Sequence, residues 1–129
     1  MENSIIDATY NRPAGDREID SPVLLIDIPD LTKQLKDENA WKGNDRNAIT
    51  VFKTDKMRIV LVALHKDAEM KTDRPENIFS LQVLKGKVKV TTEFTSTEVE
   101  KEKIVALHEQ IAYSITALKK SMFLLTIVE

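Results

Sequence analysis

The chain has 129 residues, of which 42% are hydrophobic and 31% are charged, and its formal net charge is -2 at pH 7. This balance is typical of one packed globular domain rather than a disordered chain. Basic and acidic residues number 19 and 21 without a block of like charge, so nucleic-acid binding is disfavoured. The absence of cysteine excludes disulfides, thiolate zinc sites and thiol nucleophiles.

No segment has the pattern of a membrane span or a targeting signal. The longest apolar run, Ile59 to Leu64, is far shorter than the ~20 residues that cross a bilayer. The residues after Met1 have neither the basic region nor the apolar region of a secretory signal. We therefore expect a cytoplasmic protein without a membrane partner.

The N-terminal part of the chain divides into an arm and the start of a folded domain. Residues 1–20 carry scattered charges around Ile5 and Ile6, which predicts an arm that is ordered only when it docks, most simply on a second copy of the chain. Residues 21–129 are expected to form a single domain. Its first elements are a short apolar strand at 23–28 and one short helix that begins near Pro29 and places Leu31 and Leu35 on one face.

Strand patterns then follow one another at short intervals. The residues from Met70 to Asn77 are expected to form an exposed turn, and Gly86 a tight hairpin turn between two strands. Eight strands without intervening helices predict an all-β sandwich or barrel. They cover 48–54, 57–65, 78–84, 87–94, 97–100, 103–108, 112–118 and 121–128.

The surfaces of these strands predict how they are covered. Residues 87–94 alternate between polar positions and Val88, Val90, Thr92 and Phe94, which predicts one wet and one largely buried face. Residues 57–65 are apolar on both faces, so the helix, the second sheet or a dimer partner must cover the outer side. With Ile5 and Ile6 in the arm also in need of a contact, we expect a homodimer.

The spacing around Gly86 resembles the first motif of the cupin superfamily, a double-stranded β-helix jelly roll. That motif runs glycine, five residues, His-x-His, three or four residues, glutamate, six residues, glycine. Counting back from Gly86 places Phe79 at the glutamate, Asp73 and Pro75 at the two histidines, and Asp67 at the leading glycine. The spacing is kept, but none of the family's ligands is present.

The second cupin motif runs glycine, five residues, proline-x-glycine, two residues, histidine, three residues, asparagine. Laid on residues 102–117, it places Glu102 and Gln110 at the two glycines, His108 at the proline, Tyr113 at the histidine and Ala117 at the asparagine. The resemblance covers roughly residues 49–128. It implies a cupin-type jelly-roll barrel with one short N-terminal helix.

The resemblance also implies where a family metal such as Fe, Mn, Ni or Zn would bind, and the residues at those places do not suit it. Such metals need about three converging donors, usually imidazoles and a carboxylate. Pro75 and Phe79 have no side-chain donor, and a phenol such as Tyr113 is protonated at neutral pH. We therefore expect no metal and no other cofactor, with the aromatic ring of Phe79 at the mouth of the barrel.

Five side chains remain as candidate ligand-binding residues: Asp73, Phe79, Tyr113, His65 and His108. His65 shares a strand face with Leu61 and Ala63 and could therefore point into the barrel, but we expect it to bond backbone or water at the end of its strand. The Tyr113 hydroxyl either faces a remaining cavity or bonds a buried backbone group.

The leading hypothesis for function is a metal-free module that binds a small molecule or a protein. Its rival is a metal-dependent or acid/base enzyme in which displaced groups, His65, Asp73, Glu76, His108 and Tyr113, converge. A third hypothesis is a sensory module that once accompanied a DNA-binding domain. The chain has no helix-turn-helix pattern to support it. No catalytic residue is assigned.

Overall fold

The computed structural model describes residues 19–72 and 76–128. They form two helices, α1 (Ile28–Asp37) and α2 (Asn39–Gly43), and nine strands. The strands are β1 (Arg46–Lys53), β2 (Met57–Leu64), β3 (Glu69–Thr72), β4 (Ile78–Lys85), β5 (Lys87–Thr92), β6 (Ser96–Glu100), β7 (Ile104–Leu107), β8 (Tyr113–Ala117) and β9 (Ser121–Val128).

The strands are arranged in two antiparallel sheets. One has five strands in the order β1-β2-β9-β4-β7, and the other has four in the order β3-β8-β5-β6. Because β4 and β5 lie in different sheets, the predicted hairpin around Gly86 is wrong. Gly86 has a φ of 87°, as the turn prediction required, but it marks the point where the chain passes from one sheet to the other.

The main core lies between the two sheets. Alternate residues of each strand point inward, as in β4, where Phe79, Leu81 and Val83 are buried and the residues between them are half-buried. Met70, only 3% exposed, belongs to the same core. Its strand β3 pairs with β8, so the prediction of an exposed turn from Met70 is wrong for residues 70–72.

A second apolar cluster covers the outer face of the five-stranded sheet. There Leu31 and Leu35 of α1 and Trp41 of α2 pack on Leu61 and Ala63 of β2. The two leucines lie on one helix face, as predicted. The helices, and not the second sheet, therefore cover the outer side of β2.

Hydrogen bonds define where α1 begins and hold its end against the sheet. The Asp27 carboxylate caps the first turn by accepting from the Asp30 N–H, and Pro29 occupies a first-turn position where its missing N–H costs nothing. The buried Asn47 amide of β1 donates to the Leu35 carbonyl and to the Glu38 carboxylate. The second helix was not predicted, because its five residues are too few for an apolar period to be recognised.

Three further sequence expectations concern the ends of elements. The predicted strand at 23–28 is wrong: α1 begins at Ile28, and Val23 and Leu25 are exposed. Phe94, assigned to the buried face of its strand, is 71% exposed, because β5 ends at Thr92. Of the predicted arm, residues 1–18 lie outside the described residues, and the carbonyl of Ile19 accepts a hydrogen bond from the Lys53 N–H of β1.

Candidate functional site

The backbone keeps the four glycine positions of the cupin motifs. Within the described ranges, the non-glycine residues with positive φ are Asp67 (74°), Glu102 (73°) and Gln110 (68°), and Gly86 has a φ of 87°. These are the four positions that the motif alignment assigns to glycine. L-residues rarely adopt this conformation, because Cβ crowds the following carbonyl. The coincidence supports the alignment, and with it the placing of Phe79 and Tyr113 at ligand positions.

An aromatic pair occupies those two ligand positions inside the barrel. Phe79 is 4% exposed and belongs to the core between the sheets. Its ring meets the Tyr113 ring edge to face, with centroids 4.6 Å apart and an interplanar angle of 63°. Such a pair is stabilised by apolar burial and by the ring quadrupoles. The place where the family motif has a carboxylate and an imidazole is therefore packed as core.

The Tyr113 phenol is protonated at neutral pH. Burial raises the pKa of the Tyr113 hydroxyl above its usual value, and a hydrogen bond with the Thr72 side chain lowers this pKa in part. Thr72 and Tyr113 are opposite each other in the β3–β8 ladder, which accounts for their closeness. A neutral phenol is a weak donor to a metal ion.

The donor set at the family's metal site does not fit a transition metal. Phe79 has no donor atom, and Tyr113 is packed against it. Pro75 has no side-chain donor by its chemistry, and Asp73 and Pro75 both lie outside the described residues. Within 19–72 and 76–128, no three His, Asp or Glu side chains come close enough to hold a metal ion.

His65 lies on the helix-covered face and not in the barrel. Its ring stacks on Trp41, with centroids 3.6 Å apart and an interplanar angle of 15°, and its Nε2 is 2.9 Å from the Trp41 carbonyl oxygen. Because a carbonyl can only accept, Nε2 carries the hydrogen of this bond. His65 shares its strand face with Leu61 and Ala63, as predicted, but that face is the outer one, so the alternative in which His65 points into the barrel is wrong. The expected bond to backbone at the strand end is confirmed.

His108 and Glu76 are both on the surface, away from His65. The His108 side chain is 88% exposed in the loop between β7 and β8, and its Nδ1 lies 3.7 Å from the Glu109 carboxylate. Glu76 is an exposed residue before β4. Since His65 is on the opposite, helix-covered side, the displaced ligands of the enzyme hypothesis do not converge on one point among the residues described.

An apolar cavity opens where the two sheets separate. This mouth cavity has a volume of ≈ 200 Å³ and lies between β5 and β6 of one sheet and β7 of the other. Its walls are mainly Val90, Phe94, Thr97, Val105, Leu107 and Ile111, with His108 at the rim. Of the predicted ligand-binding residues that the structure describes, only His108 lines it. The others in its wall were missed, although an aromatic residue in the polar stretch 91–97 was a usable signal.

The comparisons with known proteins concern the fold. No protein-family model and no curated protein matches the sequence. Among solved structures, a cupin superfamily protein from Desulfitobacterium hafniense has a TM-score of 0.63 and 12% identity over 66% of this chain and 78% of its own. A conserved protein of unknown function from Streptococcus pyogenes has a TM-score of 0.63 and 15% identity over 88% and 93%.

A third similar structure is an enzyme. Salicylate 1,2-dioxygenase from Pseudoaminobacter salicylatoxidans has a TM-score of 0.72 and 16% identity, covering 88% of this chain and 36% of the dioxygenase. Together with the antiparallel two-sheet topology, these similarities show that the chain has a cupin-type fold, so the predicted all-β jelly-roll fold is confirmed. In the described part of the chain, neither helix is long and apolar enough to span a membrane.

Proposed function

We propose that this protein is a metal-free binding module that holds a small apolar molecule in the mouth cavity. The observation that carries the proposal is the lining of that cavity, where Val90, Phe94, Leu107 and Ile111 meet at an opening between the sheets. Phe94 is largely exposed there. An exposed aromatic ring beside an apolar depression is typical of a binding site rather than of a solvated surface.

The size of the cavity limits the ligand. Its ≈ 200 Å³ is below the roughly 300–1,000 Å³ of pockets for drug-sized ligands, whereas an apolar cavity of ~150 Å³ already binds benzene. A molecule with a single ring or with two fused rings fits this space. Thr95 and Thr97 in the lining carry hydroxyls that are candidate hydrogen-bond partners for one polar group, whereas the Thr92 hydroxyl already bonds the backbone of Phe94 and Thr95.

Packing inside the barrel supports the metal-free part of the proposal. Phe79 and Tyr113 fill the place of two metal ligands and do not line the mouth cavity, so a ligand in that cavity would contact apolar side chains and not a metal ion. Binding would then depend on apolar contact and a few hydrogen bonds. No reaction step is assigned to any residue.

Indole is a suitable probe, because it combines two fused rings with one N–H. We expect saturable chemical-shift changes in the amide NMR spectrum that are confined to residues around Val90, Val105 and Leu107. Thr97→Trp should fill the cavity and abolish the changes, because Thr97 faces the opening. Ser96→Trp is the matched control, since Ser96 is exposed on the same strand and does not line the cavity.

Three results would contradict the proposal. One is the absence of saturable shifts around Val90, Val105 and Leu107, and another is indole binding that survives Thr97→Trp. Shifts that cluster instead around Phe79 and Tyr113 without reaching the mouth would also contradict it.

We further propose that the protein forms a homodimer through the part of the five-stranded sheet that the helices leave open. Ile78 and Val128 are direct neighbours in the β4–β9 ladder and are exposed, as is Ile104 on the adjoining strand β7. Exposed large apolar side chains on one sheet face favour contact with a second copy. Ser80 and Gln82 are half-buried residues of β4 and would lie within such an interface.

A further inference from the structure

Three lysine side chains meet around a cavity on the helix-covered side of the protein. This lysine cavity has a volume of ≈ 270 Å³ and is lined by Lys36 of α1, Lys85 of β4 and Lys120 of the β8–β9 turn. Its apolar wall is formed by Trp41, Ala63 and Met122. The five-stranded sheet separates it from the barrel interior, so it is distinct from the mouth cavity.

The local fold holds Lys85 and Lys120 together. The ladder between β4 and β9 shifts by one residue after Val83, which places Lys85 opposite Met122 on the outer face. At the next residue, Gly86 approaches the Lys120 carbonyl so closely that an added Cβ would lie 2.5 Å from that oxygen. The Ser121 hydroxyl fastens this junction by accepting from the Lys87 N–H and donating to the Lys119 carbonyl.

A separate contact brings the third lysine to the cavity. The Thr32 hydroxyl of α1 donates to the Met122 sulfur at 3.2 Å, which holds this part of the helix over β9. Lys36 follows Thr32 by four residues and so lies on the same helix face, one turn nearer the cavity. A lysine in the last turn of a helix is ordinary, because it complements the helix dipole. The helix dipole does not explain why Lys36 lies beside two lysines from other elements.

The charges around the cavity are unbalanced. In the described residues, no carboxylate lies within ion-pair distance of these three ammonium groups. The pKa of Lys36 is lowered mainly by its partial burial, and repulsion from Lys85 and Lys120 lowers it further. The whole chain carries a net charge of -2, so general basicity does not account for the cluster. An anion between the three groups would relieve their repulsion.

We propose that the lysine cavity is a binding site for a phosphomonoester, with the phosphate between the three ammonium groups and an apolar body on the Trp41, Ala63 and Met122 wall. Lysine ammonium groups are compact charges that bind phosphate oxygens from several directions. The apolar wall favours an organic phosphate over the free ion. The site is independent of the mouth cavity and of the function proposed for it.

The only tryptophan of the chain, Trp41, lines this cavity and reports on binding. We would titrate the full chain with phenyl phosphate and with inorganic phosphate and follow tryptophan fluorescence. A saturable change is expected with both, with tighter binding of phenyl phosphate and with weakening on addition of salt. Lys85→Gln or Lys120→Gln should each weaken phenyl phosphate binding about tenfold, as expected for a charged hydrogen bond.

The chain offers matched controls. Lys119→Gln removes a charge from the same turn as Lys120, and Lys33→Gln removes one from the same helix as Lys36; neither residue lines the cavity. Both controls should change the affinity less than about twofold. Lys85→Arg should retain binding, because it retains the charge. The Gln variants should unfold at the same temperature as the parent or higher, because they remove repulsion.

The proposal would be overturned by the absence of a saturable change with either probe. Equal weakening by Lys119→Gln and Lys120→Gln would also overturn it, because this indicates general surface attraction. Equal affinity for the two probes would overturn the assignment of an apolar body to the ligand.

Discussion

The rings of Phe79 and Tyr113 meet edge to face, 4.6 Å between centroids, at the two positions where the cupin motifs place a glutamate and a histidine. Their partner residues in the ladders are distant in sequence, so this contact belongs to the tertiary core. We expect Phe79→Ala to lower the free energy of unfolding by about 3–5 kcal/mol, because it leaves a cavity in a packed interior. Urea denaturation measures the change.

Phe94→Ala is the matched control, because Phe94 is exposed and lies outside the core. It should change the free energy of unfolding by no more than about 0.5 kcal/mol. If Phe79→Ala and Phe94→Ala lower the free energy of unfolding equally, Phe79 is not a buried core residue.

The phenol of Tyr113 makes stability dependent on alkaline pH. Burial raises its pKa in the folded state above the unfolded value of about 10, so its contribution to stability is complete below that pH. As the pH rises through the folded-state pKa, this contribution is lost, because the unfolded chain has already released its proton. We expect the free energy of unfolding to fall less steeply above pH ~10 in Tyr113→Phe than in the parent.

Absorbance of the phenolate gives an independent measurement. The chain has two tyrosines, so Tyr10→Phe leaves Tyr113 as the only phenol to titrate. A titration midpoint at or below the ordinary tyrosine value in that variant would contradict the prediction.

Substitutions at the positive-φ positions should act in opposite directions. Glu102→Gly should raise the free energy of unfolding by about 0.5–1 kcal/mol, since relief of left-handed strain exceeds the entropy that glycine adds to the unfolded chain. Gly86→Ala should lower it by more than about 2 kcal/mol, because its φ is positive and a Cβ would meet the backbone of Lys120 and Ser121. Both are measured by denaturant unfolding.

Each of these two variants has a control variant at a position without a positive φ. Lys101→Gly, next to Glu102 but without a positive φ, should be destabilising. Gly43→Ala should be nearly neutral, because no atom lies within 4 Å of the added Cβ. A stabilising Gly86→Ala, or a destabilising Glu102→Gly, would show that the backbone differs from the one described.

The metal content of the purified protein tests the hypothesis that the barrel interior binds no metal ion. After expression without a metal-chelating tag, we expect less than about a tenth of an equivalent of Fe, Mn, Ni or Zn per chain, because the ligand places hold residues that donate poorly or not at all. Elemental analysis by mass spectrometry measures it. About one equivalent that disappears in His65→Ala or His108→Ala would favour the enzyme hypothesis instead.

The proposed homodimer predicts a sedimenting species of twice the 14.7 kDa chain mass at micromolar concentration. Ile104→Glu should shift the equilibrium to monomer, because it puts a charge on the open sheet face. Leu25→Glu, at an exposed residue before α1, should leave the dimer intact. A monomeric parent protein, or equal dissociation by both variants, would contradict this interface.

The sequence by itself determined the features that depend on local pattern. Leu31 and Leu35 lie four residues apart and therefore share the buried face of α1. The alternation of Phe79, Leu81 and Val83 made them one face of a strand. The motif spacing also assigned Asp67, Glu102 and Gln110 to glycine places, and these are residues to which the structure gives a positive φ.

The tertiary structure alone decided which face is inside and which strands pair. A period of two separates the faces of β2 but does not say which one meets the second sheet, so the outward direction of His65 follows only from the packing of α2. Gly86 permits either a hairpin turn or a crossing between sheets, and it forms a crossing because β4 pairs with β9 whereas β5 pairs with β8. Lys36, Lys85 and Lys120 likewise meet only because a helix, a strand and a turn far apart in the chain pack together.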